Sequence, residues 1–293
     1  MKLAYTLATL TTLFTAPAWA DGNWTNTAGV QGVYGDYSGS VQRDSVSGYG
    51  VALTSEYRDK GGLTVMLNHT DVQMKAGNAD IDQNALFTSG RLYSHPGGGT
   101  GVLTTRLDVH AVDNNDATKD TDEVMAYAPQ ISYLSADKRR YVDIGYAYSD
   151  YRNNLSVDQW TPTAGFLLGQ NDWLQVRGWF IEPSNPARAQ GKDSTSAVEG
   201  KLTHWFGPTK PLGLNNLRLS LLAGERIYAV DQDAGAVSNL SDIQRGSLSL
   251  GGEWKFGKTG SAIAMLGREQ NRNATIGDDY DLTYGYLWIS GQW

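Results

Sequence analysis

Arg245-Gly246-Ser247-Leu248-Ser249-Leu250-Gly251-Gly252-Glu253-Trp254-Lys255-Phe256 alternates residue by residue. Leu248, Leu250, Gly252, Trp254 and Phe256 fall on one side of an extended chain, and Arg245, Ser247, Ser249, Gly251, Glu253 and Lys255 on the other. A period of two belongs to a β-strand with one apolar face, because successive side chains of a pleated chain point in opposite directions. The same period returns at Leu217 to Ile227 and at Trp173 to Phe180, where Leu174, Val176 and Phe180 alternate with Gln175, Arg177 and Trp179. Weaker copies occupy Tyr49 to Tyr57, Leu63 to Thr70, Leu103 to Ala111 and Val142 to Tyr148. No convincing 3.6-residue apolar stripe follows Trp24.

Turn residues cut the chain into about fourteen strands, centred near residues 31, 52, 67, 88, 106, 128, 145, 164, 177, 201, 221, 250, 265 and 286. Alternation alone leaves a soluble sandwich open, since it too hides one face of each strand. Connector length points elsewhere. Asp59 to Gly62, His95 to Gly99, Ala136 to Lys138, Gln170-Asn171 and Gly257 to Gly260 are tight, and between them lie the long polar stretches Lys75 to Asn84, Asp113 to Asp122, Pro183 to Thr195, Asp231 to Asp242 and Gln270 to Asp279. Short turns at one end, long loops at the other and an even strand number are requirements of a bacterial outer-membrane barrel. Tyr57, Tyr133, Phe206, Trp254 and Phe256 at the short-turn ends, and Tyr37, Tyr49, Tyr148, Trp160 and Phe180 at the long-loop ends, would form two aromatic girdles. The expected fold is all-β, a single transmembrane antiparallel up-and-down β-barrel of about 14 strands, with 12 as the alternative. Pro129 and Pro162 fall inside expected strands, where a closed sheet has no edge to spare, so each predicts a bulge or a displaced boundary.

The 293 residues carry 24 Lys and Arg against 31 Asp and Glu, a net charge of -7, and no cysteine. Disulfides, thiolate metal sites and a cysteine nucleophile are excluded. No basic run exists to follow a phosphate backbone, so nucleic acid is not an expected partner. Residues 1–20 read as a cleaved secretory signal: Lys2 opens it, residues 3–14 are mostly apolar, and Ala18-Trp19-Ala20 is a small-x-small cleavage site before Asp21. Residues 21–293 are then the barrel domain, in the bacterial outer membrane.

The chain ends Tyr284-Gly285-Tyr286-Leu287-Trp288-Ile289-Ser290-Gly291-Gln292-Trp293. A terminal aromatic on a last strand resembles the assembly signal of Gram-negative outer-membrane proteins, although Gly291 stands where that pattern has a bulky residue. Tyr146-Ala147-Tyr148-Ser149-Asp150-Tyr151, Val157-Asp158-Gln159-Trp160 with Gly165, and Gly35-Asp36-Tyr37-Ser38-Gly39 resemble YaiO-type outer-membrane barrels. The resemblance implies a signal peptide and a single barrel. In strand number and lack of extra domains the chain is also similar to OmpG-type monomeric porins, which implies a monomer.

Fourteen strands enclose more space than side chains fill, so the lumen should hold water. The polar faces place Glu56, Arg91, Arg106, Asp108, His110, Asp143, Arg177, Glu199, Lys201, Arg218, Arg226, Arg245, Glu253 and Arg268 as pore-lining residues. Arg177, Arg218, Arg226, Arg245 and Arg268 cluster on later strands, either as a basic track for anions or as a wall network paired with Glu199, Glu253 and Asp143. Trp173, Arg177 and Trp179 would also suit sugar stacking. Asp108 and His110 share a face and would suit an oriented general base, but no nucleophile completes the pattern. Asp113 to Glu123 is rich in oxygen ligands but lacks the glycine and spacing of a calcium loop, and reads as a solvated loop.

The expected function is porin-like passive diffusion of small polar or anionic solutes, without cofactor or enzymatic activity. The alternative is a non-conducting barrel in envelope biogenesis, surface polysaccharide export or surface reception. Expected partners are outer-membrane lipid and lipopolysaccharide, the solutes, and the barrel-assembly machinery through Trp293. A long loop folding inward would close the pore, and Pro183 to Thr195 and Asp231 to Asp242 are the candidates.

Overall fold

The computed structural model describes residues 23–99, 101–208 and 210–293, so the expected signal segment lies outside the described residues. Fourteen strands form the wall: β1 (Trp24–Ser38), β2 (Arg43–Tyr57), β3 (Gly61–Met74), β4 (Ile81–Ser94), β5 (Gly101–Asn114), β6 (Val124–Ser135), β7 (Arg140–Tyr151), β8 (Leu155–Leu168), β9 (Asp172–Pro183), β10 (Thr195–Trp205), β11 (Leu214–Arg226), β14 (Ile243–Phe256), β15 (Gly260–Asn273) and β16 (Asp278–Gln292). The two remaining strands, β12 (Val230–Asp231) and β13 (Ala236–Val237), make a small separate hairpin. Each wall strand pairs antiparallel with its chain neighbours, and β1 meets β16 in one unbroken register from Thr27 opposite Gln292 to Ser38 opposite Asp281. Beyond that ladder Asn26 and Trp293 exchange two backbone hydrogen bonds of 2.9 Å. The sheet is a closed antiparallel up-and-down barrel without an edge, and all fourteen expected strand centres fall inside its strands.

Burial is inverted relative to a soluble sandwich. Asp108 and Arg177 are 0% and 4% exposed, whereas their outward neighbours Leu107 and Val176 are 50% and 39% exposed. Polar inside and apolar outside is the polarity of a barrel whose outer solvent is hydrocarbon.

Three expectations need correction. Several long-loop ends are tighter than the sequence suggests: connectors 39–42, 75–80, 152–154 and 274–277 are short, and only 115–123, 184–194 and 227–242 are long. The strands run further because polar residues continue the ladder, as where Asn271 and Arg272 pair with Tyr280 and Asp279. Of the expected girdle residues, Tyr37 is buried on the inner face against Tyr280, and Phe206 lies past the end of β10. The prolines produce neither a bulge nor a boundary. Pro129 pairs with Leu107 and Pro162 with Ile144, while the β6–β7 ladder lacks the pairs of Ala128 and Pro129, and the β8–β9 ladder those of Thr161 and Pro162. Register is the same on both sides of each gap, so a proline removes its own donor and nothing else.

Replacing Pro129 or Pro162 by Val supplies the missing N–H and should stabilise the barrel by about 1 kcal/mol each. A higher urea midpoint of the refolded protein in vesicles checks this; a lower midpoint would show that the ring itself is needed.

Candidate functional site

The lumen is partly filled by the chain's own loop 227–242. Its first residues, Ile227, Tyr228 and Ala229, join Leu155, Val157 and Trp179 in an apolar cluster inside the barrel. The hairpin follows, with Val230 opposite Val237 and Asp231 opposite Ala236. Its turn is capped by Asp231, whose Oδ1 accepts from the backbone N–H of Asp233 at 3.0 Å and of Ala234 at 3.2 Å, a local bond that favours tight turns. Gly235 completes the turn at φ +62°, and a Cβ there would meet Met66 Cε at 2.6 Å.

The wall receiving the hairpin is made of small residues. Ala126, Ala128 and Ala147 pack against Val230, and Gly145 lets the Gln232 side chain approach. Polar backbone that the insertion buries finds partners on the wall, which offsets the loss of water there. Gln159 acts as a surrogate strand partner: its Nε2 donates to Val230 O at 2.8 Å, and its Oε1 accepts from Val230 N at 2.9 Å. Gln232 Nε2 donates to Ala128 O at 2.8 Å, and Arg106 Nη2 donates to Gln232 O at 2.6 Å. At the tip Asp233 Oδ2 lies 2.9 Å from Arg177 Nη2 and 3.2 Å from Lys201 Nζ. The loop's far end is tied to the rim. Asp242 pairs with Arg43, whose guanidinium also lies over the Tyr37 and Tyr280 rings, and Asn239 Nδ2 donates to Gln83 Oε1 and Thr121 O at 2.8 Å each.

A cavity of ≈ 1120 Å³ remains beside the hairpin, lined among others by Lys201, Arg218, Arg226, Asp231, Glu269 and Tyr284. It reaches from Trp173 and Trp205 at the short-turn end to Tyr37 and Val46 under the opposite rim.

Strand register turns Glu56, Arg91, Arg106, Asp108, His110, Asp143, Arg177, Glu199, Lys201, Arg218 and Glu253 inward. Arg226 is inward as well, over the Trp179 ring with 4.5 Å to its centroid. Two residues placed inside by sequence are not there. Arg268 is paired with Leu248 and bonds Asp281 on the outer face, and Arg245 sits in the β-bulge between Gln244 and Gly246, half exposed and 3.6 Å from Asp279. The bulge's extra residue breaks the alternation that put Arg245 on the Ser247 side.

Three of the inward basic groups have a carboxylate close by, and Arg226 Nε donates instead to the Gln244 amide oxygen at 2.5 Å. Arg177 meets Asp233, Arg218 Nη2 lies 3.5 Å from Glu253, and Lys201 lies 3.4 Å from Glu199. Sequence reading missed Gln159, Gln232, Asp233 and Glu269. The available signal was the apolar run Ile227 to Val230 within an otherwise polar connector.

Asp108 gives its carboxylate to Arg106 Nε at 2.7 Å and to Gln232 Nε2 at 3.3 Å, and the His110 ring packs on Phe87 with centroids 4.9 Å apart. Asp108 is thus part of the hairpin's seat, while His110 lines the cavity beside it. In loop 115–123 the Asp116 carboxylate accepts from the hydroxyls and backbone amides of Thr118 and Thr121. Burial pushes the Asp116 carboxyl up, but those donors more than offset it and hold it below its ordinary value. The loop's oxygens cap its own turns. Among the described residues, one group with metal-ligand atoms in reach is His69, Asp71 and Asp82 on the outer face, where the two imidazole nitrogens face different carboxylates.

These features define a closed fourteen-strand barrel with an in-folded constriction loop. No family model and no curated protein matches the chain. Among solved structures, the toluene transporter TodX of Pseudomonas putida is similar with a TM-score of 0.56 at 8% identity, over 96% of this chain and 93% of TodX. A bacterial polysaccharide outer membrane secretin is similar with a TM-score of 0.54 at 10% identity, over 92% of this chain and 98% of that one. At such identities the likeness is one of fold.

Gly235→Val strains the turn and drives a side chain into Met66 and Phe87, and should weaken hairpin docking by about 1–3 kcal/mol. Thermolysin should then cut within 227–242 faster than in the parent protein while the barrel stays intact. Unchanged cleavage would mean that the hairpin is held without this seat.

Proposed function

We propose that this chain is an outer-membrane channel for passive diffusion of small polar solutes, constricted by loop 227–242. The observation carrying the reading is the cavity, lined by charged as well as apolar side chains, that runs along the lumen beside the hairpin. The outward apolar face, the fold shared with outer-membrane barrels, and the signal-like residues 1–20 support the location. Trp293, bonded to Asn26 at the seam, is the proposed contact for the assembly machinery.

An anionic preference has limited support, because Arg177, Lys201 and Arg218 are each matched by a carboxylate. Glu269 and Asp231 line the same cavity with Arg226 near both. The solutes proposed are therefore small and polar, passing a constriction of mixed charge, where Glu269 favours cations.

Single-channel recording in planar bilayers tests the reading. The parent protein should give small steps, and a variant with residues 230–237 replaced by a short Gly-Ser link should give steps several-fold larger. Glu269→Gln should move the reversal potential under a salt gradient toward anions. A variant that inserts without its hairpin and still never conducts would sink the channel reading in favour of a non-conducting envelope role, surface polysaccharide export included.

A further inference from the structure

Arg245 and Arg268, displaced from the lumen, share the outer face of the barrel with Arg272. Arg268 stands on β15 between Leu248 of β14 and Thr283 of β16. One outward step below that row lie Leu250, Leu266, Gly285 and, on β1, Tyr34. Tyr34 and Leu266 are 63% and 72% exposed, so this lower row belongs to the membrane-facing belt and its aromatic margin. Arg268 is thus at the level where hydrocarbon gives way to headgroups on the long-loop side. An arginine cannot be left unpaired at that depth without a polar partner, since its transfer toward hydrocarbon is strongly unfavourable.

The available partners inside the protein are few. Asp281 takes Arg268 at 2.7 Å, while Asp279 is shared loosely by Arg245 at 3.6 Å and Arg272 at 4.0 Å. The three guanidinium side chains remain 49%, 63% and 46% exposed in the order Arg245, Arg268, Arg272. Asp36, paired with Thr283 across β16, bounds the patch on its other side. Guanidinium donors exceed what these carboxylates accept, and the planar fork matches phosphate oxygens in pairs.

A second feature lies directly beneath. Ala264 and Gly285 are outward positions on adjacent strands, and their lack of side-chain bulk leaves a furrow of ≈ 730 Å³ on the outer wall, flanked by Leu250, Leu266 and Leu287. A furrow of this kind accepts an acyl chain, and its upper end meets Arg268. A neighbouring outer groove over β2 to β6 has a rim that carries His69, Asp113 and Glu123, with Asp71 and Asp82 beside them, and the arginine that reaches it, Arg152, is ion-paired with Glu123. Apolar grooving is common to both places, and the guanidinium cluster belongs to one.

We infer that Arg245, Arg268 and Arg272, with the furrow below them, bind an outer-leaflet lipid with a phosphorylated headgroup, the phosphate on the arginines and an acyl chain against Ala264 and Gly285. The inference rests on the membrane placement proposed above and is independent of conduction. Native mass spectrometry of the refolded chain with added lipid A tests it. The parent should retain lipid adducts. The combined variant Arg245→Gln, Arg268→Gln, Arg272→Gln should retain at least about tenfold less, as loss of charge-assisted bonds of about 1.5 kcal/mol or more implies. Gly285→Leu, which fills the furrow and keeps the charges, should also lose adducts, whereas Asp71→Asn with Asp82→Asn on the neighbouring groove's rim should not. Heat-modifiable gel mobility establishes folding of each variant; if the combined variant does not fold, Arg268→Gln alone and Gly285→Leu carry the same test. Four results would overturn the site: equal retention by the arginine variant, equal binding of dephosphorylated lipid A, full competition by inorganic phosphate at low concentration, or equal stripping of parent and variant by a chelator, which would assign the lipid to bridging cations. Loss of conductance with lipid binding intact would instead count against the channel reading alone.

Discussion

Closure of the backbone ladder between β1 and β16 is the constraint on which the rest depends. A strand that faces hydrocarbon cannot hand its N–H and C=O groups to water, so each must pair on both sides and the last must return to the first. From that follow the fourteen antiparallel neighbours, the start of β1 and the end of β16 on one rim, and the alternation of inner and outer side chains. The prolines mark how far the constraint yields. At Pro129 and Pro162 two residue pairs are missing from the ladder toward β7 and β9, yet the register on either side is unchanged. A slip of one residue would turn every apolar side chain of the strand into the lumen, which is far more unfavourable than one lost hydrogen bond.

Closure also creates the problem that loop 227–242 answers. Fourteen strands enclose a space their inward side chains do not fill, and here part of it is occupied by chain rather than water. The hairpin carries polar backbone into that space, and the wall supplies complements: the Gln159 amide for Val230, Arg106 for the Gln232 carbonyl, and Arg177 with Lys201 for Asp233. Small residues are required on the same wall, since Ala126, Ala128, Gly145 and Ala147 leave the room the hairpin takes. Of the arginines that look like a solute track in sequence, Arg177 is in three dimensions an anchor of the hairpin, Arg218 and Arg226 face the cavity, and Arg245 and Arg268 lie outside the lumen. Their charges are largely used within the protein.

The fold was legible because one signal, period two, reports directly on closure: strand type, number and centres follow from the alternation of residues such as Leu248 to Phe256. The hairpin was not legible to the same degree. Its connector was among two candidates for an inward loop, but its seat is assembled from β3 to β10, and no local pattern connects Gln159 with Val230, seventy-one positions away. The run Ile227-Tyr228-Ala229-Val230 was the local trace of burial, and it was absorbed into the end of a strand pattern. The inward acids show the same limit: Glu269 lies beside the misassigned Arg268, and correct parity for one would have located the other.

That misassignment has a physical origin. Within hydrocarbon, polarity and direction coincide, so a polar residue on a strand is an inward one. Above the apolar belt the outer solvent is no longer hydrocarbon, and charged side chains are admitted on both faces. Leu266 is outward, and two positions on Arg268 must be outward too, whatever its charge. Counting from the apolar belt upward therefore assigns faces correctly where sorting by polarity does not, except at a bulge such as Gln244 to Gly246, where Arg245 escapes both rules. The residues for which the two methods disagree are those at the boundary between lipid and water, and the barrel's outer surface meets headgroups there.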